Sequence, residues 1–291
     1  MCKVSVVKLS WTPPLLNVAV TLRRDEAVSD DATSVIALSQ AQLPACLAMM
    51  TKRDGYFLMV RGGNQQLEAV MAEPRVHAFQ SFGIIPAAGR SRRMGQPKLK
   101  MLWGAMTVIE QVVAAWRRSG VDHVVAVVRS DDSELAGLCQ RAGAIVVVPE
   151  PPPPEMKDSV MAALDAITTR FHPRGDAAWL LAPADMPRLS SEVIDALLDE
   201  HSGSNQAILV PTHATPARGP SRQATAVKRG HPVLFPWPLA QDVARLNEDE
   251  GVNVLLARTP TREVAVNQPS ILDDLDTVDD YRRLSAEEGH F

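Results

Sequence analysis

The chain has 291 residues, of which 46% are hydrophobic, 22% charged and 4% aromatic, so its length suits one large domain or two small ones. A formal net charge of -4 and few aromatic side chains argue against a nucleic-acid partner, because such partners usually require a basic surface and stacking rings. Three cysteines without a CxxC pair and the lack of an apolar run of roughly 20 residues argue against a disulfide framework, a zinc site and a membrane span, so we expect a cytoplasmic protein without an export signal.

The first 80 residues contain apolar patches but neither a strand–helix alternation nor a chemical motif. The clearest patches lie at residues 15–22 and 43–50. We therefore separate an N-terminal extension of unknown role, residues 1–80, from a domain at residues 81–291. Three interpretations of the extension stay open: a poorly ordered segment, a small appended element, or sequence upstream of the true start, for which Met71 is a candidate.

From about residue 82, short apolar runs alternate with amphipathic segments, which is typical of a parallel sheet with crossover helices. The predicted strands are 82–86, 123–128, 144–148, 177–182, 207–210 and 263–266. The predicted helices lie near 106–119, 132–142, 157–170, 190–201 and 277–287. Prolines at 151–154 predict a stiff loop, and the polar run 213–223 predicts a surface loop. We expect an α/β fold with a mainly parallel sheet.

The strongest motif is IIPAAGRSRRMGQPKLKMLWG at residues 84–104, directly after a predicted strand. Its small residues let the backbone approach a ligand closely, and the amides of such a loop can cradle phosphates. Its basic side chains supply the charge that a triphosphate needs before an anionic nucleophile can approach; they are Arg90, Arg92, Arg93 and Lys98. The motif is not a Walker loop, because no Ser or Thr follows Lys98, and it lacks the GxGxxG fingerprint of dinucleotide sites.

This motif resembles the signature loop of the nucleotidyltransferases that include the molybdenum cofactor cytidylyltransferases and guanylyltransferases. The resemblance covers about residues 82–288 and implies a Rossmann-like, three-layer α/β/α nucleotidyltransferase fold. Ala88 favours the cytidylyl branch, since the guanylyl branch usually has a glycine there, so CTP is the expected donor. The resemblance implies that Arg93 and Lys98 contact phosphates. The full set of nucleotide-binding residues that it implies is Ala87, Ala88, Gly89, Arg90, Ser91, Arg93, Gly95, Lys98 and Ser159.

Three later segments match the same family. In LLAPADMP at residues 180–187, Asp185 follows a buried strand, and the resemblance implies that it binds the Mg²⁺ that bridges the triphosphate. In GHPVLF at residues 230–235, the resemblance implies an acceptor side that includes Gly230 and His231. In DDLDTVDDY at residues 273–281, it implies a second carboxylate near the metal, Asp274 or Asp276. The implied catalytic residues are Arg93, Lys98 and Asp185.

Plainer interpretations of these later residues stay open. His231 is equally compatible with a turn histidine, and Asp274 and Asp276 with an acidic lead-in to the helix that begins near residue 277. The chain also departs from the family. Where the family often shows GMSSS, residues 155–159 are EMKDS, so only Met156 and Ser159 match. In addition, Pro86 replaces the usual leucine before residues 87–89, which we call the AAG loop.

The resemblance implies an enzyme that transfers CMP from CTP, with Mg²⁺, to a phosphorylated acceptor of the molybdopterin type, with release of pyrophosphate. It also implies transient contact with molybdoenzymes or their chaperones, and no nucleic-acid or membrane partner. Two alternatives remain. One is a guanylyltransferase or a sugar- or polyol-phosphate nucleotidyltransferase, and the other is a nucleotide-binding protein of the same fold without turnover.

Overall fold

A computed structural model of the chain describes residues 77–91, 94–203, 206–216 and 225–289, together with six earlier strands. The chain divides into two compact units, residues 1–75 and residues 76–291. In the first unit the described strands form two antiparallel sheets of three strands each. These strands are β1 (Lys8–Thr12), β2 (Leu15–Val20), β3 (Ser34–Ser39), β4 (Met50–Arg53), β5 (Tyr56–Gly63) and β6 (Gln66–Ala72).

The second unit alternates strands and helices over most of its length. Its strands are β7 (Ser81–Pro86), β8 (Leu102–Trp103), β9 (Met106–Thr107), β10 (His123–Val127), β11 (Ile145–Val147), β12 (Ala178–Leu181), β13 (Ile208–Pro216), β14 (Thr225–Arg229), β15 (Val233–Pro236) and β16 (Thr261–Ala265). Its helices are α1 (Val108–Arg118), α2 (Ser133–Arg141), α3 (Met156–Phe171), α4 (Ser191–Glu200), α5 (Ala240–Val243), α6 (Leu255–Arg258) and α7 (Val278–Glu287). Among the described helices, none combines the length and the apolar composition needed to cross a bilayer.

Eight strands form one twisted sheet in the order β11-β10-β7-β12-β15-β13-β14, with β16 paired to β13. The half that runs from β11 to β12 is entirely parallel. In the other half, β15 runs antiparallel to β12 and β13, and β13 forms an antiparallel pair with β14. The sheet therefore has the predicted α/β, mainly parallel character, with an antiparallel segment inserted where the sequence predicted none.

That insertion corrects two predictions. The loop predicted at residues 213–223 begins as strand, because β13 continues to Pro216 and pairs with β14 along its outer half. Residues 233–235 were predicted only as part of the GHPVLF motif, yet together with Pro236 they form the buried strand β15. The loop predicted for the four prolines at 151–154 is confirmed, since no helix or strand covers them.

Each face of the sheet is covered by helices, which gives three layers. Side chains alternate along β7, so Phe82 and Ile84 belong to one core while Ile85 belongs to the other. The first core is filled mainly by α3, and the second by α1, α2 and α4. Helix α1 is started by a capping box, in which the Thr107 amide donates to Glu110 Oε2 at 2.9 Å and the Glu110 amide donates to Thr107 Oγ1 at 3.4 Å.

Candidate functional site

Two chemistry-bearing segments leave the sheet side by side. Strands β7 and β12 are parallel neighbours, with Leu181 in register with Ile84. Parallel strands end at the same edge of a sheet, and ligands of open α/β folds bind in the crevice at that edge. The AAG loop follows β7 and the segment that contains Asp185 follows β12, so the topology brings the two strongest motifs together.

The AAG loop begins inside the sheet and ends in solvent. The Ala87 amide still donates to Val127 O at 2.9 Å, and Ala87 is buried, whereas Gly89 is exposed. A Cβ added to Gly89 would meet no atom within 4 Å. The fold itself therefore does not require a glycine at this position, and its smallness leaves room beside the loop.

A tight turn carries the chain from the loop towards Lys98. The Met94 amide donates to Ser91 O at 3.1 Å, and Gly95 has a φ of +66°, a left-handed conformation that glycine adopts without strain. Lys98 then opens a short 3-10 helix, Lys98–Lys100. Arg90 is exposed, with its guanidinium 3.8 Å from Asp131 Oδ2. Residues 92–93 lie outside the described residues, so the predicted phosphate contact of Arg93 stays a prediction.

The centre of the site is an ion pair between the two motifs. Lys98 Nζ donates to Asp185 Oδ2 in a short contact, and it also donates to Leu275 O at 2.8 Å. Both side chains are only 15% exposed. The Leu275 amide in turn donates to Asp185 O at 2.9 Å. One lysine therefore joins the segments after β7, after β12 and before α7.

The ion pair lies in a cavity of about 350 Å³, which we call the first cavity. Its walls come from the AAG loop, the turn that follows it, the segment after β12 and the start of α3. The lining residues are Pro86, Gly89, Ser91, Met94, Lys98, Leu99, Met156, Pro183, Ala184, Asp185 and Asp276. The structure thus places Gly89, Ser91, Lys98, Asp185 and Asp276, all predicted site residues, around one space.

The three aspartates before α7 have different surroundings. Asp276 lines the first cavity, and its Oδ1 lies 3.8 Å from Lys98 Nζ. For Asp274, burial raises the pKa of the carboxyl, and the charges of Asp185 and Asp276 raise it further. Asp273 is a structural residue, since Arg188 donates to its Oδ2 at 2.9 Å. Asp276 is therefore the second carboxylate that the structure brings to the cavity.

The carboxylates of Asp185 and Asp276 place negative charge at the first cavity, and a divalent cation would neutralise it. Asp185 Oδ1 is buried and has no hydrogen-bond partner among the described residues, while its Oδ2 faces Lys98. No group of three or more His, Cys, Asp or Glu side chains is arranged to hold a metal ion within the described part of the chain. Mg²⁺ usually binds one or two carboxylates and completes its shell with substrate phosphates and water. Asp185 and Asp276 fit that donor set.

The start of α3 separates the first cavity from a second one. Met156 is 52% exposed and lines both cavities. Ser159, a predicted nucleotide-binding residue, is 3% exposed, and its hydroxyl lies 3.4 Å from Glu155 O. The structure therefore places Ser159 inside the helix start and Met156 at the boundary between the cavities. Met156, one of the two residues that match GMSSS, was not among the predicted site residues.

The second cavity has a volume of about 560 Å³. It lies between the start of α3, the ends of β12 and β15, and a turn at residues 247–251, which we call the acidic turn. Sequence analysis did not single out this turn. The lining residues are Glu155, Met156, Lys157, Leu181, His231, Val233, Phe235, Glu248, Asp249, Glu250, Gly251, Val252, Asn253 and Leu256.

The GHP motif enters this second cavity through His231. Its amide donates to Ile271 O at 2.9 Å, and its ring Nδ1 is buried without a partner among the described residues. Burial lowers the pKa of His231 and so favours the neutral ring. A Cβ added to Gly230 would collide with Ile271 O and lie 2.7 Å from Ile271 Cβ, so Gly230 is required by close packing.

The sheet is mainly parallel and covered by helices on both faces. At its crevice, a basic loop of small residues faces a carboxylate, which is the arrangement expected of a nucleotidyltransferase. Comparison with known proteins narrows this class. Residues 83–264 match the MobA-like NTP transferase domain, and the chain belongs to that family.

One curated relative is the molybdenum cofactor guanylyltransferase of Xanthomonas euvesicatoria pv. vesicatoria (strain 85-10), which is 35% identical over 117 residues. That alignment covers 40% of this chain and 52% of the relative, so the chain spans about half the length of the curated relative it matches.

Solved structures of the same fold match 71–72% of this chain. Rv0371c from Mycobacterium tuberculosis H37Rv is 30% identical with a TM-score of 0.58, and the match covers 71% of this chain and 98% of that one. Rv0371c has also been solved in complex with manganese, with 29% identity, a TM-score of 0.54 and the same coverage. A nucleotidyl transferase from Methanothermobacter thermautotroptrophicus, at 21% identity, a TM-score of 0.57 and coverage of 72% and 97%, shows the fold alone.

Proposed function

We propose that the chain transfers CMP from CTP to a phosphorylated acceptor of the molybdopterin type and releases pyrophosphate. The observation that carries the proposal is the contact between Lys98 and Asp185 in the first cavity, beside the AAG loop. A cation and a carboxylate at one crevice are the two groups that grip a metal-bound triphosphate. Membership of the MobA-like family supports the reaction type.

In this reaction an oxygen of the acceptor phosphate attacks the α-phosphorus of CTP, and the bond to the β-phosphate breaks. The protein forms no covalent bond to the nucleotide in this reaction, so the rate depends on positioning of the reactants and neutralisation of their charge. The ammonium of Lys98 moves from Asp185 to the phosphates when the nucleotide binds. Arg93 is expected to contact the same phosphates. Because Lys98 is already held in the crevice, it can stabilise the charge that develops on the leaving pyrophosphate.

A divalent cation completes the first cavity. Asp185 and Asp276 would hold Mg²⁺, and Asp274 is the alternative second ligand. When bound, such an ion would supply positive charge that neutralises the phosphates. The manganese complex of Rv0371c supports a divalent ion in this family. Lys98, which is held by Asp185 and the Leu275 carbonyl, would donate to the phosphates of the nucleotide.

The second cavity is the proposed acceptor compartment. It adjoins the first cavity at Met156, and its volume suits a ligand of the size of a small cofactor. His231 lines it, while Gly230 allows the close packing that holds the motif in place. The acceptor phosphate would then lie near Met156, facing the α-phosphate. Transient contact with molybdoenzymes or their chaperones would deliver the product.

The experiment that tests the function gives the purified protein each of CTP, GTP, ATP and UTP with Mg²⁺ and extracted molybdopterin, and identifies the products by mass. We expect pyrophosphate and a cytidylylated pterin. Asp185→Asn should lower turnover by about 100-fold or more, because the carboxylate charge is lost. Asp242→Asn is the matched control, since the side chain of Asp242 is 41% exposed and pairs with Arg245, and neither residue lines the first or the second cavity. A fully active Asp185→Asn enzyme would refute the metal assignment.

A guanylyltransferase is the second candidate, because the curated relative carries that activity in its name. The proposed preference for CTP rests on Ala88 in the AAG loop, where the guanylyl branch usually has glycine. Product formation with GTP in preference to CTP in the same assay would overturn the choice of base while leaving the reaction type intact. If CTP is the preferred donor of the wild-type protein, Ala88→Gly should shift that preference towards GTP.

A further inference from the structure

Lys157 is a buried lysine at the start of α3, with 9% of its surface exposed. Its ammonium donates to Asn247 O at 2.5 Å and lies 3.3 Å from Glu248 O. Both carbonyls belong to the acidic turn, which forms one wall of the second cavity. The side chain therefore connects a helix to a turn that is 90 positions further along the chain.

Local energetics do not explain a lysine at this position. The N-terminus of a helix disfavours positive charge, and burial of an ammonium is costly unless hydrogen bonds compensate. The helix start does not need Lys157, since the Glu155 amide already donates to Asp158 Oδ2 at 3.0 Å. A residue that opposes the local rules often has a role beyond its own element. The two carbonyls of the acidic turn identify that role.

The acidic turn is held from its other side as well. Glu250 Oε2 accepts from the Asn247 amide at 2.9 Å, and Glu250 Oε1 pairs with Arg258 of α6. The turn is thus attached to α6 through Glu250 and to α3 through Lys157. Removal of the lysine would leave the attachment to α6 intact but free the turn from the cavity side.

We infer that Lys157 is a positioning residue that fixes the acidic turn against α3 and thereby sets the shape of the acceptor compartment; this rests on the proposed function. Its ammonium faces main-chain carbonyls, so it acts on the acceptor through the wall of the cavity and not as a phosphate ligand. Neither Lys157 nor the acidic turn lines the first cavity. The donor nucleotide should therefore bind independently of Lys157.

The test compares Lys157→Met, which keeps an unbranched side chain but removes the donor, with Lys157→Arg, which restores charge and donors. In the full chain, Lys157→Met should raise the acceptor KM by about 10- to 100-fold, with the nucleotide KM and kcat changed by less than about twofold. Amide hydrogen exchange in residues 247–251 should become faster. Lys157→Arg should recover part of the acceptor KM. Lys228→Met, at an exposed position of β14, should change none of these values.

An unchanged acceptor KM, or equal increases in the two KM values, would overturn the inference. Unchanged hydrogen exchange in the acidic turn would overturn it as well. If Lys157→Met does not fold, Lys157→Leu, which also lacks a donor and favours helix, is measured in its place against the same outcomes. A wild-type protein that forms no product with any nucleotide would instead refute the proposed function, and the exchange data alone would then decide whether Lys157 holds the turn.

Discussion

The two cavities are each lined by a largely buried lysine, but the lysines have different partners. Lys98 faces the carboxylates of Asp185 and Asp276 and one carbonyl in the first cavity. Lys157 faces two carbonyls of the acidic turn in the second. A carboxylate can exchange its cation for a metal ion, whereas a main-chain carbonyl has no charge to redirect. We therefore expect an exchangeable contact at Lys98 in the first cavity and a fixed attachment at Lys157 in the second.

The largest expected effect tests the exchangeable contact. Lys98→Met should lower kcat/KM by about 100- to 1000-fold, because a preorganised charge beside the phosphates is lost. Steady-state pyrophosphate release with CTP measures it. Lys100→Met is the matched control: Lys100 lies two residues away and pairs with Asp132 and Glu134 at 3.1 and 2.9 Å, outside the first cavity. Equal losses in the two variants would show that Lys98 acts only through the fold.

Gly230 and Gly89 differ in why a glycine is present: close packing at Gly230 and space for the nucleotide at Gly89. Gly230→Ala should lower the free energy of unfolding by about 1–3 kcal/mol, because its Cβ would collide with Ile271 beside the second cavity. Gly89→Ala should change stability by less than about 0.5 kcal/mol, since no protein atom lies near its Cβ, while nucleotide binding weakens. Urea unfolding and calorimetric titration with CTP measure the two effects. The distinction between the glycines fails if Gly89→Ala unfolds as easily as Gly230→Ala.

The smallest expected effect is on the pH dependence of stability, and it concerns His201, which lines neither cavity. His201 is 6% exposed, and burial lowers its pKa below the ordinary 6.5. The unfolded chain therefore binds a proton that the folded chain resists, so the stability contribution is complete above pH 6.5 and is lost as the pH falls through the lowered pKa. Between about pH 7.5 and about pH 5.5, the free energy of unfolding should fall less in His201→Phe than in the wild type. The difference should be smaller than about 1 kcal/mol. An identical pH dependence in the variant would contradict this.

The parallel half of the sheet was predictable from the sequence. In the other half, the start of β13 and most of β16 were predicted, but β14 and β15 were not. The predicted strand at residues 82–86 corresponds to β7, and the predicted helix at 190–201 to α4, because buried apolar runs and amphipathic segments alternate there. β14 reads TAVKR and is exposed, so it has no apolar periodicity to detect. β15 is only four residues long and follows a proline, which makes it resemble a loop.

The candidate site divides in the same way. Asp185 and Lys98 could be placed at one crevice from sequence, because each follows a parallel strand in a recognisable motif. Lys157 and the acidic turn could not, since their contact depends on how the segment between β15 and β16 folds over α3. Their only sequence signals were the lysine in EMKDS and the charged run at residues 248–250. Neither signal specifies a partner.

The hydrogen bond from Lys98 to Leu275 O joins residues 177 positions apart. A polypeptide released from the ribosome before Leu275 would carry both phosphate-site motifs but lack this acceptor for the lysine. Premature termination or clipping before Leu275 would leave the ammonium paired with Asp185 but without its carbonyl partner, even where the sheet had formed. We therefore expect the segment just before α7 to support the candidate site from outside the sheet.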